Sequence, residues 1–420
     1  MSKDYERLTE TSEAFHLRAD ELADGEEAGP FVRLFGQFQK KHSRKFARKV
    51  SKIAHLGGAP LLAVLLHWVQ PLWFGAWEKE ENSMKAIVQD KYGSPDDVLE
   101  LKDIDKPVVK DDEVLVRVHA ASVHPDVWHV VRGLPYVLRL MGAGLLKPKN
   151  SVPGTDVAGH VVSVGKNVTQ FQPGDEVFGE SVHGYQWSNG GTYAEYVSVP
   201  EDQLALKPAN VTFEQVAAVP TSGLIALQGL RNQGQVQPGQ KVLINGAGGG
   251  VGTLAVQLAK AYGANVTGVD STSTLDMLRS LGADQVIDYT QEDFTQSGQR
   301  YDLIVDIPGN HSLSDCRRAL TPKGTYVLIG HDHFGKLGHR FLGSLPRFLR
   351  LIVMSPFVSQ LPALSFSMPN KKDSMAVLKE FLEAGKITPV IDRTYPLSEV
   401  PEAIRYLEEG HTQGKVVIAV

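Results

Sequence analysis

The chain has 420 residues, a formal net charge of −5 and a single cysteine. This length exceeds that of an average single domain and predicts two domains with an extension, and the modest negative charge gives no electrostatic reason to expect nucleic-acid binding. Because Cys316 stands alone, the sequence excludes an internal disulfide and a four-cysteine zinc lobe, and it fits a reducing compartment.

Residues 1–83 form an N-terminal extension with an uneven charge pattern. Residues 1–30 carry nine acidic and three basic side chains, which is unlike a secretory signal. Residues 31–52 carry eight Lys or Arg and no acid, with apolar side chains spaced as on one face of a helix. Residues 53–77 contain no charged side chain and include three tryptophans. The extension is therefore predicted to be helical, with a basic amphipathic part followed by an apolar part.

The apolar part is long enough to reach a bilayer, but Pro60, His67, Gln70 and Pro71 interrupt it. We therefore favour residues 31–77 lying in the cytoplasmic membrane interface, or forming a hairpin through it, rather than crossing the membrane. An extra helical layer that packs on the main body, or on a second subunit, is the alternative.

The main body is predicted to begin near Met84 with the strand MKAIVQ. Alternating apolar residues in EVLVRVHAASV, HVVSVG and EYVSVP predict a mostly antiparallel β unit that continues to about Leu206. The pattern then changes to strand, glycine turn, helix and strand in KVLINGAGGGVGTLAVQLAKAYGANVTGVD, and further strands follow in DQVIDY, YDLIVDI and TYVLIG. This alternation predicts an α/β domain with a parallel, doubly wound sheet.

A basic and apolar insertion follows Gly330, at about residues 331–370. Between His333 and Lys372 there are six Lys or Arg and no acid, around the run LRLIVMSPFVSQLPALSFSMP. Three prolines in this run disfavour a membrane-spanning helix. The composition fits contact with a membrane surface through residues 336–370, or an oligomer contact, and both interpretations stay open.

The glycine-rich turn between the strand KVLIN and the helix TLAVQLAKAYG carries the clearest chemical signal. Glycine lets the backbone approach a pyrophosphate closely, and the helix N-terminus presents free N–H groups and a positive dipole end. Asp270 ends the next strand, 18 positions after Gly252, near the expected ribose-binding position. This context predicts that NAD(H) or NADP(H) is bound by Gly248, Gly249, Gly250, Val251 and Gly252.

The choice between the two cofactors stays open. A carboxylate at Asp270 accepts hydrogen bonds from a ribose 2′-hydroxyl and repels a 2′-phosphate, which favours NAD(H). The hydroxyls of Ser271 and Thr272 follow directly and can receive a phosphate, although no Arg or Lys stands beside them.

Eight motifs, in order along residues 84–420, carry a resemblance to a known family. They are SVHPDVWHVVRG, PGTDVAGHVVSVG, QPGDEVFG, GGTYAEYVSVP, AAVPTSGLIAL, GAGGGVG, SLGADQVIDY and GKVVI. The series resembles the zinc-lacking, quinone oxidoreductase-like branch of the medium-chain dehydrogenase/reductase superfamily. The resemblance implies a GroES-like catalytic domain formed by residues 84–206 and 370–420, a Rossmann domain over 207–369, a preference for NADP(H) and a homodimer.

The resemblance also bears on metal use. Zinc-using relatives place a cysteine, a histidine and a second cysteine around a catalytic ion, at positions that match His124, Thr155 and about Thr221 of this chain. One nitrogen ligand cannot hold a tetrahedral zinc ion, so we predict a zinc-independent enzyme. Without a Lewis acid, quinones and α,β-unsaturated carbonyls are the expected hydride acceptors, because conjugation spreads their developing negative charge.

His124, Asp126 and Tyr136 are the candidate catalytic residues. His124 stands where the family more often has asparagine, and Asp126 follows at a spacing one short of the usual. A polar group at this place is expected to face the nicotinamide and to orient substrate or relay a proton. Tyr136 matches a tyrosine that lines the substrate site in relatives. The alternatives are a loop hydrogen bond for His124 and plain ring packing for Tyr136.

Thr221, Tyr289 and Lys415 complete the cofactor contacts that the resemblance implies. Thr221, with Ser222, matches hydroxyls that meet the nicotinamide or phosphate end, and helix capping is the alternative. Tyr289 matches a residue along the adenosine phosphate, and Lys415 matches a C-terminal lysine that often reaches the cofactor. Both would otherwise be solvated surface. Asp156 is expected to do no more than stabilise its turn.

Two other functions stay open. A membrane-associated dinucleotide-binding adaptor or redox sensor with little turnover is favoured by the altered HPDV motif and by the two basic, apolar segments. An alcohol dehydrogenase of the same superfamily would require bound zinc. Because a nicotinamide enzyme needs its reductant, we expect a cytoplasmic location, with any membrane contact on the cytoplasmic face.

Overall fold

A computed structural model describes residues 82–182, 188–330, 340–362 and 370–420. The basic amphipathic and apolar segments expected within residues 31–77 lie outside the described residues, as do 331–339 and 363–369 of the insertion. The following paragraphs concern only the described residues.

These residues contain both strands and α-helices. The strands are β1 Ser83–Gln89, β2 Leu99–Asp105, β3 Glu113–Val123, β4 Asp156–Val164, β5 Glu176–Glu180, β6 Tyr196–Pro200, β7 Leu204–Leu206, β8 Lys241–Asn245, β9 Asn265–Asp270, β10 Gln285–Asp288, β11 Tyr301–Asp306, β12 Leu320–Leu328, β13 Ile391–Pro396 and β14 Lys415–Ala419. The α-helices are α1 Pro95–Val98, α2 Pro125–Arg132, α3 Phe213–Ala217, α4 Pro220–Leu227, α5 Gly250–Ala261, α6 Leu275–Ser280, α7 Leu313–Arg318, α8 Leu345–Met354, α9 Lys371–Glu383 and α10 Val400–Glu408.

A mixed sheet joins residues from the two ends of the described chain. Its strands lie in the order β13-β14-β3-β4-β5-β7, and β6 also pairs with β3. The central strand β3 is antiparallel to both β4 and β14, with Val123 opposite Val416. Its alternating valines, Val114, Val116 and Val118, are buried, because successive side chains of a strand point to opposite faces.

A second sheet is entirely parallel, in the order β10-β9-β8-β11-β12. Val242 and Ile244 of β8 belong to one apolar core and Leu243 to another, so the sheet is covered on both faces. Alternating strands and helices around a parallel sheet are the Rossmann arrangement, and the mixed sheet is the GroES-like one. The predicted α/β class with GroES-like and Rossmann parts is confirmed, whereas the helical N-terminal extension and the division at residues 206 and 370 stay predictions.

Helix α8 lies within the insertion that follows β12. It begins after Ser344 with Pro346 in its first turn, as proline favours, and ends at Met354. In the part of the chain that the structure describes, no helix combines the length and the apolar character that crossing a bilayer requires.

Candidate functional site

The glycine turn between β8 and α5 leaves an open space over Gly249. Gly246 has φ +78°, a conformation that favours glycine, and a Cβ on Gly252 would meet the Gly246 carbonyl oxygen at 2.2 Å. A Cβ on Gly249 would find its nearest atom only at 3.9 Å. No side chain caps the N-terminus of the twelve-residue helix α5. The turn therefore presents an uncapped helix end beside free space, as an anion site requires.

Asp270 lies at the side of this turn. Its Oδ2 accepts a hydrogen bond from the Gly248 amide at 2.7 Å, and its Oδ1 accepts one from the Ser271 amide at 2.8 Å. Thr272 donates its hydroxyl to Asp288, and the Tyr289 amide donates to the Asp270 carbonyl. Tyr289 is 58% exposed. The structure thus brings the predicted ribose-side residues together next to the glycine turn.

Asp156 is the centre of a buried polar cluster, so the expectation that it serves only its own turn is wrong. Its carboxylate is inaccessible to solvent and accepts hydrogen bonds from the Ser122 hydroxyl at 2.6 Å and from the Thr221 amide and hydroxyl at 3.0 and 2.5 Å. Lys415 Nζ lies 3.5 Å from its Oδ2. The reason is tertiary: Asp156 begins β4, in the middle of the mixed sheet, where a carboxylate must be paired. The only sequence signal was its place at the start of a buried strand.

Lys415 is buried rather than solvated. Burial lowers the pKa of its ammonium, against the raising effect of Asp156. Nζ donates to the Val123 carbonyl at 3.1 Å, and a Cβ built on Gly250 would lie 3.1 Å from Lys415 Cδ. The preceding residue, Gly414, donates its amide to the Gly248 carbonyl at 2.8 Å. Strand β14 thereby joins the glycine turn to the end of β3.

His124 follows directly at that end of β3 and caps helix α2. Its Nδ1 accepts a hydrogen bond from the Asp126 amide at 3.3 Å and lies 3.4 Å from Asp126 Oδ2. Nε2 is buried and has no hydrogen-bond partner among the described residues. Burial acts to raise the pKa of the Asp126 carboxyl, but its interactions with His124 outweigh this effect and the pKa is lowered. His124 is therefore a capping residue whose second nitrogen is still available.

The remaining candidates separate into two places. Thr221 does not cap α4, because its hydroxyl donates to Asp156, whereas the neighbouring Ser222 hydroxyl is buried without a partner among the described residues. Ser222 Oγ would lie 3.4 Å from a Cβ on Gly250, so it belongs to the glycine turn. Tyr136 instead lies against the insertion: its amide donates to the Arg340 carbonyl, and its ring packs edge-on against Phe341.

An ion pair that sequence reasoning missed joins β5 to α9. Lys371 Nζ donates to Glu180 Oε2 at 2.6 Å and to the Val182 carbonyl at 2.8 Å. Burial raises the pKa of Glu180 to about 7, with Asp156 and Asp126 adding to the rise and Lys371 opposing it. Neither residue stands in one of the motifs quoted above, and 191 positions separate the two in the chain. The sequence alone therefore gave no reason to pair them.

Comparisons with known proteins match the main body. Residues 110–209 match the alcohol dehydrogenase GroES-like domain, and residues 281–418 match the zinc-binding dehydrogenase family model. A 2-methylene-furan-3-one reductase of Solanum lycopersicum is 34% identical over 349 residues, covering 80% of this chain and 79% of the relative. The chain belongs to the medium-chain dehydrogenase/reductase superfamily, in its quinone oxidoreductase-like branch. It is an oxidoreductase, as the resemblance predicted.

Other members of the superfamily agree with this assignment. The mitochondrial NAD(P)H oxidoreductase RTN4IP1 of Mus musculus is 33% identical over 374 residues, which cover 80% of this chain and 89% of the relative. The structure of the quinone oxidoreductase from Coxiella burnetii has a TM-score of 0.67 and 31% identity, and the match covers 80% of this chain and 99% of that one.

The residues of this superfamily member fit a nicotinamide dinucleotide. The open space over Gly249, the uncapped end of α5 and the unpartnered Ser222 hydroxyl together offer room and hydrogen-bond donors for a pyrophosphate. The positions that the resemblance matches to a zinc site, His124, Thr155 and about Thr221, offer one imidazole and two hydroxyls. This donor set does not fit a catalytic zinc ion, and the Thr221 hydroxyl already donates to Asp156. Within the described ranges, no three His, Cys, Asp or Glu side chains are grouped as a metal site.

Proposed function

We propose that this oxidoreductase reduces a quinone or an α,β-unsaturated carbonyl compound with NADH or NADPH and without zinc. One observation carries the proposal: β14 connects the glycine turn, through Gly414 and Lys415, to Val123 and hence to the adjacent His124. The glycine turn, which we propose as the dinucleotide site, and His124, which we propose as the proton donor, thus lie at the two ends of one short contact path. The names of relatives support the acceptor class, since they include an alkenal/one oxidoreductase and quinone oxidoreductases.

The reduced nicotinamide, when bound, supplies a hydride. Gly249, Gly250 and the first amides of α5 would hold the pyrophosphate, and the Ser222 hydroxyl would add a donor beside Gly250. Asp156 and Lys415 hold the end of β3 against α4 and so set the distance between His124 and the turn.

His124 would supply the proton that the reduced acceptor needs. His124 would donate as an imidazolium, which carries one proton on Nδ1, 3.4 Å from Asp126 Oδ2, and one on Nε2, the atom without a partner among the described residues. Transfer of the Nε2 proton to the acceptor oxygen would leave a neutral imidazole. A carbonyl or quinol oxygen within reach of Nε2 would thus receive a proton from an oriented donor.

The first test measures binding of NADPH and NADH and turnover with a panel of quinones and enones. We expect affinity for at least one coenzyme and turnover that survives a zinc chelator. Gly249→Ala should keep the fold, because the added carbon meets no atom closer than 3.9 Å, yet weaken coenzyme affinity about tenfold or more by filling the space. Binding without turnover on any acceptor would favour the adaptor or redox sensor, and activity lost to chelation and restored by zinc would favour the alcohol dehydrogenase.

The second test replaces His124 with serine, which can still cap α2 but is too short to reach the position of Nε2. If Nε2 donates a proton, kcat should fall by about 10²–10⁴ while the melting temperature and coenzyme affinity stay near those of the parent. His160→Ser, at a partly exposed histidine on β4, is the matched control and should change little. An unchanged kcat in His124→Ser would remove this residue from the proposal.

Three further features remain proposals of the same function. Asp270 favours NADH and Ser271 and Thr272 favour NADPH, so the binding comparison decides between them. A homodimer is expected, which light scattering tests. Membrane contact through residues 31–77 at the cytoplasmic face is tested by deleting residues 1–83 and measuring cosedimentation with lipid.

A further inference from the structure

Exposed large apolar side chains concentrate in two short segments of the described chain. The first is the loop that follows α2, where Leu140, Met141, Leu145 and Leu146 are exposed, the last by 85%. The second is the described part of the insertion, where Phe341, Leu342, Leu349, Val353 and Phe357 are exposed. Scattered exposed apolar residues are ordinary, but a concentration of this kind marks an interaction surface.

The two segments adjoin. The Tyr136 amide donates to the Arg340 carbonyl at 2.6 Å, and the Val137 amide donates to the Phe341 carbonyl at 3.0 Å. A Cβ on Gly343 would lie 2.7 Å from Pro135 Cγ. Residues 134–149 and 340–358 therefore form one surface, which we call the apolar face.

Helix α8, which carries part of this face, is packed firmly against the protein core. On its inner side, Leu351 and Met354 pack against the core that contains Cys316 and Tyr326. Arg347 anchors the helix by donating to the carbonyl oxygens of Gly309 and His311. Such a docked helix would ordinarily turn polar residues outward.

The outer side of α8 is apolar instead. Leu349 and Val353 are exposed along it, Phe357 follows one turn beyond its end, and Arg350 is the exposed charge among them. The spacing of four residues puts Leu349 and Val353 on the same side of the helix axis. An apolar stripe with a basic side chain at its edge is typical of helices that lie in a membrane interface.

The basic side chains of the apolar face indicate what kind of surface binds it. Residues 127–155 and 334–372 contain no Asp or Glu. The face exposes Lys147, Lys149, Arg340 and Arg350 beside its apolar side chains. In a twofold dimer formed through this face, the same bases would meet each other without an acid from either segment, which is unfavourable. An anionic lipid surface supplies both the apolar layer and the negative charge.

We propose that the apolar face docks on an anionic lipid bilayer, with α8 parallel to the membrane plane and Leu349, Val353 and Phe357 inserted among the lipids. This surface is separate from the extension at residues 31–77 and does not depend on the proposed reaction. It would place residues 340–358 of the insertion, and the loop that Arg347 holds after β11, next to the membrane.

A label on the face tests the proposal in the full chain. Burial raises the pKa of the Cys316 thiol far above its usual range, so this residue should not react with a maleimide dye. Val353→Cys then carries a single polarity-sensitive dye on the face. Asp276→Cys is the control, because its helix α6 packs through Leu278 on the opposite side of the parallel sheet. Vesicles of phosphatidylglycerol and phosphatidylcholine are compared with vesicles of phosphatidylcholine alone.

We expect a blue shift of the dye at position 353 with the anionic vesicles, a much smaller shift with neutral ones, and none at position 276. Lys147→Glu with Lys149→Glu should weaken the vesicle affinity reported at 353 about tenfold or more. If residues 31–77 alone bind the vesicles, the protein will sediment with lipid while the dye at 353 stays unshifted, and the proposal fails. A blue shift that occurs without lipid and increases with protein concentration would show that a second copy of the chain binds the apolar face. That result would also overturn the proposal.

Discussion

Replacing Asp156 with asparagine is expected to destabilise the protein by about 3 kcal/mol at pH 7. Asparagine is nearly isosteric, and its amide oxygen can still accept the two hydrogen bonds from Thr221. The substitution removes the negative charge 3.5 Å from Lys415 Nζ. Since Lys415 is itself buried, its ammonium is left without a compensating charge.

The magnitude follows from the surroundings of Lys415. Breaking a buried ion pair from one side costs about 3–5 kcal/mol. Lys415 keeps its bond to the Val123 carbonyl, and burial already lowers its pKa, so it can release its proton and limit the cost to the lower end. A folded-state pKa below the unfolded one means that the unfolded chain binds more protons, so stability rises with pH up to the unfolded pKa. The deficit of Asp156→Asn should therefore shrink as the pH rises from about 7 toward 10.

Urea denaturation of four proteins measures this effect: the parent, Asp156→Asn, Lys415→Met and the double variant. Lys415→Met removes the charge that needs Asp156 and leaves the carboxylate with its bonds to Ser122 and Thr221. The double variant should therefore lose at least about 1 kcal/mol less than the sum of the single losses. Additive losses, or a deficit of Asp156→Asn that does not change with pH, would refute the pairing argument.

Further predictions concern other parts of the fold. Burial raises the pKa of Glu180 to about 7 from its ordinary 4.5, so its contribution to stability is complete below pH 4.5 and is lost as the pH rises through 7. Glu180→Gln should reduce this loss of stability, which is on the order of 3 kcal/mol at most, when urea titrations at pH 5 and pH 8 are compared. Gly252→Ala should lower the melting temperature by several degrees and weaken coenzyme binding, because its Cβ would meet the Gly246 carbonyl oxygen at 2.2 Å. Arg347→Met should speed amide exchange in residues 307–311 about tenfold or more, since two carbonyl contacts are lost, and unchanged protection in exchange mass spectrometry would contradict that anchoring role.

Local pattern predicted much of the architecture. The parallel sheet follows from short buried strands such as KVLIN that alternate with helices, and the mixed sheet follows from the alternating valines of β3. The glycine turn could also be predicted, because the strand, the glycines and the helix that form it are contiguous. Gly249, Gly252 and Asp270 lie together for that reason.

Distant contacts could not be predicted in the same way. Asp156 meets Thr221 across 65 positions, and Lys415 meets Val123 across 292. In the sequence, Asp156 is one acid in a turn motif and Lys415 one base near the end of the chain. His124 could be singled out by its motif, but the free Nε2 is visible only once α2 uses the other nitrogen.

The sequence by itself determined the fold class, the family and the glycine turn, because each depends on residues that are neighbours in the chain or repeat with a fixed period. Only the tertiary structure decided which charges are buried together and which apolar side chains remain outside. Burial and pairing depend on how separate segments meet, as at Asp156 and along the outer side of α8, and periodicity within one segment carries no information about its neighbours.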